Sequence, residues 1–351
     1  MAHSSSRLSS KEAVKLLKKG DLLELGRAAD GLKKDLHPDD TVTFIVDRNI
    51  NYTNVCINEC RFCAFYRREG EPGAYVLGMD DLFRKIEETL ALEGTQILLQ
   101  GGLNPSLGLK FQIGMLKAIK SNFPSINVHG YSPPEIFYFA KRSSLTIRET
   151  LGLLKAAGLD SIPGGGAEVL SDRVREAISP KKIKSSEWLS VMREAHRLGM
   201  KTTATMMFGS VDTPEDIASH LEAVRQLQDE TGGFTAFIPW SFQPGNTALK
   251  KMEPATAIDY LRVLAVSRIY LDNVPNLQAS WVTQGLKMAQ VALRFGANDF
   301  GSTMIEENVV ASAGVSYSVS KDDIIDSIKA AGFRPAQRDT QYNILRYFDL
   351  I

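Results

Sequence analysis

Cysteine is almost absent: the 351 residues contain three, Cys56, Cys60 and Cys63, all inside the run NVCINECRFCAF. An odd number at such short spacing, with no secretory signal ahead of it, excludes a disulfide framework. Net charge of either sign is also missing, because 41 basic residues balance 41 acidic ones. With no global field to gather nucleic acid or an anionic membrane, neither is expected as a partner. Long apolar runs are lacking too, since TFIV and ATMMF fall far short of the ~20 residues that a membrane span needs. The expected location is the cytoplasm, whose reducing conditions suit free thiols. The opening MAHSSS reads as a disordered terminus or a cloning remnant and carries no fold information.

What is present is the composition of a globular chain, 44% hydrophobic and 23% charged, long enough for one large barrel or two modest domains. Ser9 followed by Glu12 fits a capping box, and Val14, Leu17 and Leu25 continue an apolar stripe, which predicts a helical lead-in. From TVTFIVD (residues 41–47) onward, short apolar runs alternate with amphipathic stretches. Strands are expected at NYTNV, QILLQ, INVHGY, DSI, KTTATMMF, TAFIPW, NLQASW and AND, with helices between them. Eight such units match a (β/α)8 barrel of TIM type in count and length; a doubly wound open sheet is the alternative. The expected organisation is a lead-in over residues 1–47, a barrel over 48–319 and a C-terminal helix and strand extension, 320–351, packed on it. In such a barrel the loops after the strands carry the chemistry.

Three thiols within eight positions point to one ligand set. Thiolate is a soft donor suited to iron clusters, and a four-iron cluster bound by three cysteines leaves one iron open for chemistry. A structural zinc lacks a fourth ligand nearby, since His37 and His129 lie far off in sequence. The spacing Cys-x3-Cys-x2-Cys, with the aromatic Phe62 just before the last cysteine, resembles the radical S-adenosylmethionine enzymes. The resemblance implies a 4Fe-4S cluster on Cys56, Cys60 and Cys63, whose open iron chelates the amino and carboxylate groups of S-adenosylmethionine. One electron then cleaves that cofactor to methionine and a 5′-deoxyadenosyl radical. It also places Phe62 beside the adenine.

Other distinctive residues fall at the expected strand ends. Gln100, Gly101 and Gly102 would bring backbone close to the cofactor's ammonium and carboxylate. Many enzymes of the resembled family have Gly-Gly-Glu here, so Leu103 in place of the acid leaves backbone carbonyls as the partners. In SIPGGGAE, Glu168 can accept both ribose hydroxyls, and Arg173 can hold a carboxylate. No Lys-Ser or Lys-Thr follows the glycines, which argues against a nucleotide triphosphatase. His129 and Ser132 lie in HGYSPPE, Trp240 in PWSFQPGNT, and Thr283 in ASWVTQG. Ser302 and Thr303, after the last strand, offer hydroxyls to a substrate carboxylate, with Ser132 and Thr283 reaching its sugar or ring. Titratable groups that could take a proton are His129, Asp299 and Glu306, with His129 preferred because imidazole needs no large pKa shift to act as a base.

Taken in order, TNVCINECRFCAFYR, ILLQGGLNP, GYSPPE, SIPGGGAE, TATMMFG, FIPWSFQPGNT, NLQASWVTQG and GANDFGSTMIEEN resemble the dehypoxanthine futalosine cyclase family of the futalosine route to menaquinone. Aminofutalosine synthase and the tyrosine-using part of F0 synthase share some of these segments. The resemblance implies hydrogen abstraction from ribose C4′ of dehypoxanthine futalosine, addition of the sugar radical to the benzoate ring, and loss of a proton and an electron. It also implies a one-electron donor such as flavodoxin or ferredoxin. A cluster protein that only carries electrons is the competing class, and it would need neither an open iron nor polar strand ends.

Overall fold

The computed structural model describes residues 7–315, 317 and 319–348, so MAHSSS lies outside the described residues. Ser9 caps the first helix, α1 (Ser10–Lys19), in the expected box: Glu12 accepts the Ser9 N–H at 2.8 Å and the Ser9 hydroxyl accepts the Glu12 N–H at 3.3 Å. The lead-in holds two helices, because Gly20 ends α1 and Asp21 caps α2 (Leu22–Leu36), accepting from the N–H groups of Leu23 and Glu24.

The chain then runs almost unbroken through β1 (Thr41–Ile45) and β2 (Asp47–Asn51). There follow α3 (Met79–Ala91), β3 (Gln96–Gln100), α4 (Leu109–Asn122), β4 (Asn127–Gly130), α5 (Pro133–Ser143), α6 (Ile147–Ala157), β5 (Ser161–Ile162), α7 (Asp172–Ile178), α8 (Ser185–Arg197) and β6 (Lys201–Phe208). The second half holds α9 (Pro214–Thr231), β7 (Phe234–Ser241), α10 (Ala257–Tyr270), β8 (Asn276–Leu277), α11 (Trp281–Gln284), α12 (Leu286–Ala292) and β9 (Asp299–Ser302). Last come α13 (Val309–Ser312), α14 (Lys321–Ala330), β10 (Arg334–Arg338) and β11 (Ile344–Tyr347).

Strands β2 to β8 form one parallel sheet in chain order, and β1 pairs in parallel with β9 in a second. Two seams join the sheets into a ring. At the first, Asn298 N–H donates to Leu277 O at 3.0 Å and Ala279 N–H to Asp299 O at 2.8 Å. At the second, Thr303 N–H donates to Ile45 O at 3.0 Å within the β1–β9 pair, and Ile305 N–H carries the pairing on to Asp47 O of β2 at 3.1 Å. With β1 and β2 taken as one strand, the ring is the (β/α)8 barrel expected from the sequence. The expected lead-in boundary at residue 47 falls inside this strand pair, since β1 supplies the second seam. Outside it, β10 runs parallel to β1 from Thr41↔Arg334 to Phe44↔Gln337, with β11 antiparallel beyond.

One face of the strands is apolar, and Phe44, Ile50, Ile97, Leu99 and Val128 are fully buried on it. The alternate positions face the barrel interior and include Asp47, Asn49, Gln96 and His129, with Asp47↔Gln96 and Leu98↔His129 in register. This corrects the strand expected at NYTNV: the strand is DRNIN, whose interior polar residues mask the apolar signal, and residues 52–55 open the cysteine loop. Pro133 begins α5, at a position where a missing N–H costs nothing. No helix of the described residues is long and apolar enough to cross a membrane.

Candidate active site

Parallel strands bring their C-terminal ends to one rim, and the loop after β2 carries the cysteines there. All three thiols are free, Cys60 buried and Cys56 and Cys63 half-buried. The loop is held by its backbone: Cys56 N–H donates to Arg67 O at 3.0 Å, Ile57 N–H to Leu103 O at 3.1 Å and Arg61 N–H to Ile178 O at 2.8 Å. The Arg67 guanidinium adds bonds to the carbonyls of Ala64 and Tyr66 at 3.2 and 2.8 Å. Cys60 and Cys63 line a cavity of about 500 Å³. Burial pushes the Cys60 thiol up to about 12 and raises that of Cys63. Among the described residues no group of three or more His, Cys, Asp or Glu side chains forms a single-ion site. Three unpaired thiols on one pinned loop beside a cavity fit an iron-sulfur cluster.

The Gln100–Gly102 loop lies directly against the cysteine loop. A Cβ on Gly101 would stand 2.5 Å from the Tyr52 ring; one on Gly102 would run into the Val55 carbonyl and lie 2.8 Å from Cys56 Cβ. Glycine is therefore required by close approach of two backbones. The Gln100 amide meets the next glycine run, where a Cβ on Gly165 would lie 2.6 Å from Gln100 Nε2. Gly164 is fixed between Thr203 Oγ1, 3.0 Å from its N–H, and Thr205 Oγ1, 2.7 Å from its carbonyl.

Glu168 is buried, with a left-handed φ of 43° that a side-chain-bearing residue seldom adopts. Its Oε1 accepts from Lys182 Nζ at 2.7 Å and its Oε2 from Arg175 Nη1 at 3.5 Å. Lys182 Nζ also stands 5.2 Å from the centre of the Phe62 ring. Burial works against its charge, but the Glu168 carboxylate holds the ammonium above its ordinary range. Phe62, Glu168 and Lys182 thus form one cluster beside Cys60. Lys182 is not marked out by its sequence, because SPKKIK resembles any solvated basic run, and Arg173, expected to hold a carboxylate, lies apart from this cluster. The Arg173 side chain is 56% exposed and engaged by Asp216 and by Val211 O at 3.0 Å; Arg175 is the residue that turns inward.

Several other side chains expected at the site already have partners within the fold. Asp299 begins β9 and is wholly enclosed, accepting from Thr43 Oγ1 at 2.5 Å, Arg338 Nε and Nη2 at 2.5 and 3.0 Å, and Gly301 N–H at 2.9 Å. These donors keep the carboxylate enclosed inside the barrel. Ser302 donates to the Asp47 carboxylate and Thr303 takes the Asp47 N–H at 3.3 Å; both clasp the seam. Thr283 shares a hydrogen bond with Ser280 at 2.9 Å, and Ser132 caps α5 through Glu135. Glu306 is half-buried, paired with Lys85 Nζ at 2.5 Å and bonded to Asn308 at 2.8 Å.

His129 is different. Its Nδ1 shares a hydrogen bond of 2.7 Å with Ser161 Oγ, and its Nε2 has no partner among the described residues. Burial pulls it down to about 3, so the imidazole is neutral but a weak base, which removes the reason for preferring it as the proton acceptor. Asp47, raised to about 6 by burial, lies on the same interior face and was not read as a site residue.

Comparison with known proteins agrees with this geometry. Residues 50–224 match the Radical SAM superfamily, and residues 230–350 match the CofH/MqnC C-terminal region. Cyclic dehypoxanthine futalosine synthase of Halalkalibacterium halodurans is 46% identical over 99% of this chain and 94% of its own. The 5-amino-6-(D-ribitylamino)uracil–L-tyrosine 4-hydroxyphenyl transferase of Methanocaldococcus jannaschii is 42% identical over 96% of this chain and 97% of its own. Among solved structures, the FeFe-hydrogenase maturase HydG from Carboxydothermus hydrogenoformans superposes with a TM-score of 0.76 at 17% identity, covering 96% of this chain and 77% of that one, a likeness of fold alone. With its cysteine loop at the barrel rim and its two halves matched in sequence, the chain belongs to the radical S-adenosylmethionine superfamily, in the group that shares the CofH/MqnC C-terminal region.

Proposed function

We propose that this protein carries out the reaction of cyclic dehypoxanthine futalosine synthase, closing dehypoxanthine futalosine to its cyclic product on the futalosine route to menaquinone. The observation that carries this reading is the 46% identity, along 99% of the chain, to a relative of that name. The cofactors are a 4Fe-4S cluster and S-adenosylmethionine. Cys56, Cys60 and Cys63 would hold three irons, while Phe62, the Gly101–Gly102 backbone and Glu168 would hold S-adenosylmethionine. When bound, the pair supplies a carbon radical able to take a hydrogen atom from a sugar.

The chain's own part is enclosure and orientation. Ile238 and Trp240 of β7 face the interior and offer apolar cover to a reactive carbon, and the register sets them beside Thr205 and Met207 of β6. His129, neutral and with Nε2 unengaged, suits a hydrogen bond to a substrate oxygen rather than proton abstraction. The electron is supplied from outside by a donor of the flavodoxin or ferredoxin class.

The 42% identity to a tyrosine 4-hydroxyphenyl transferase favours a second reading, in which tyrosine and 5-amino-6-(D-ribitylamino)uracil are the substrates. One experiment separates them. Anaerobically reconstituted protein is given S-adenosylmethionine and a reductant with either dehypoxanthine futalosine or the tyrosine pair. Cyclic product with 5′-deoxyadenosine from the first alone supports the cyclase; hydroxyphenyl transfer from the second replaces it with the other reading.

A further inference from the structure

Glu135 is only 1% exposed, in the first turn of α5, yet its carboxylate has no Lys, Arg or His partner among the described residues. Four neutral donors hold it. Oε2 accepts from the N–H and the hydroxyl of Ser132, both at 2.7 Å, which is the capping box that starts the helix. Oε1 does something that capping does not require: it accepts from Tyr52 Oη at 2.8 Å and from Gly101 N–H at 3.0 Å. Both of these groups adjoin the cysteine loop. Tyr52 stands ahead of Cys56 and roofs Gly101 with its ring, and Gly102 packs on Cys56.

The main chain here has one free acceptor. The Gly102 N–H is held by Thr53 O at 3.0 Å, and in a planar trans peptide the Gly101 carbonyl points the opposite way. That oxygen accepts from no group among the described residues. It is fixed from both sides, by Thr53 through one N–H and by Glu135 through the other.

From this geometry we infer that Glu135 is a positioning residue for the ammonium group of S-adenosylmethionine, fixing the Gly101 carbonyl as its acceptor. The inference rests on the cofactor reading above.

The test uses full-length protein with its cluster reconstituted anaerobically, comparing wild type with Glu135→Gln and Tyr52→Phe. Three quantities are read: iron per chain, S-adenosylmethionine affinity by calorimetry, and the change in the electron paramagnetic resonance signal of the reduced cluster when S-adenosylmethionine is added. The Gln variant is expected to keep its iron, bind S-adenosylmethionine roughly tenfold more weakly and show a smaller spectral change, with kcat at saturation retained. Tyr52→Phe, which keeps the Gly101 bond, is expected to fall between it and wild type. Wild-type affinity and spectral change in Glu135→Gln overturn the inference. If that variant fails to take up iron, Tyr52→Phe decides: weakened binding supports the role and unchanged binding overturns it. A wild-type protein whose signal ignores S-adenosylmethionine overturns the cofactor reading itself, and this inference with it.

Discussion

Replacing Arg338 with methionine removes the cation from an enclosed pair inside the barrel. Asp299 is wholly buried and Arg338 is 5% exposed, with contacts at 2.5 and 3.0 Å between them. Asp47 shares the enclosure, its carboxyl pushed up to about 6 by burial while the Arg338 charge pulls the other way. Without the guanidinium, Asp299 keeps only Thr43 and the Gly301 N–H, two neutral donors for a full charge. Breaking one side of such a pair costs ~3–5 kcal/mol, which is a large part of the ~5–15 kcal/mol that holds a typical protein folded. The unfolding equilibrium should therefore shift by roughly a hundredfold or more. Urea unfolding of the metal-free protein, followed by circular dichroism and compared at equal slope, measures it. A second variant, Asp299→Leu with Arg338→Met, should recover most of the loss, because an apolar pair of similar size replaces a buried ion pair at little cost. A loss below about 1 kcal/mol in the single variant, or a double variant as unstable as the sum of two singles, would refute the reasoning.

Gly102→Ala should displace the cysteine loop, since its Cβ would meet Val55 O and Cys56 Cβ; a cost of ~1–3 kcal/mol and lower iron per chain are expected, and full iron at wild-type stability would argue against the close approach. Glu168→Ala should weaken S-adenosylmethionine binding roughly tenfold or more and leave Lys182 and Arg175 without their anion; calorimetry showing unchanged affinity would remove Glu168 from the site. Acid should destabilise the fold. Burial holds His129, His196 and His220 at about 3, 4 and 3, below their ordinary 6.5. The unfolded chain therefore takes up these protons first, and stability present above pH 6.5 is lost as the pH falls toward those values. Asp47, raised to about 6, works oppositely, its stabilisation complete near its ordinary 3.8 and lost as pH rises through 6. Four imidazoles held down, His37 with these three, outweigh two carboxyls raised by burial, Asp47 and Glu135, so unfolding free energy should fall from pH 7 to pH 5, and His129→Gln should flatten that slope by one proton's share.

The sequence by itself determined the repeat of strand and helix, because QILLQ and KTTATMMF carry their own apolar signal and Ser9 with Glu12 carries its own cap; these are local, and each element forms where its residues say. It also singled out Cys56, Cys60 and Cys63, whose clustering needs no fold to be seen. What only the tertiary structure decided is which polar residues are free. Asp299 at the end of an expected strand and Ser302 and Thr303 just after it look like ligands in one dimension, yet Arg338, a few tens of positions away, and Asp47, hundreds away, already use them. Arg173 and Arg175 differ by two places in the chain, and helix rotation sends one to solvent and the other to Glu168. Lys182 and Glu135 acquire their roles from Phe62, Glu168, Tyr52 and Gly101, partners brought close by barrel closure. A side chain's chemistry is written in its own residue type, but whether that chemistry is spent on the fold or left for a ligand depends on neighbours that the chain meets only when the ring of strands has closed.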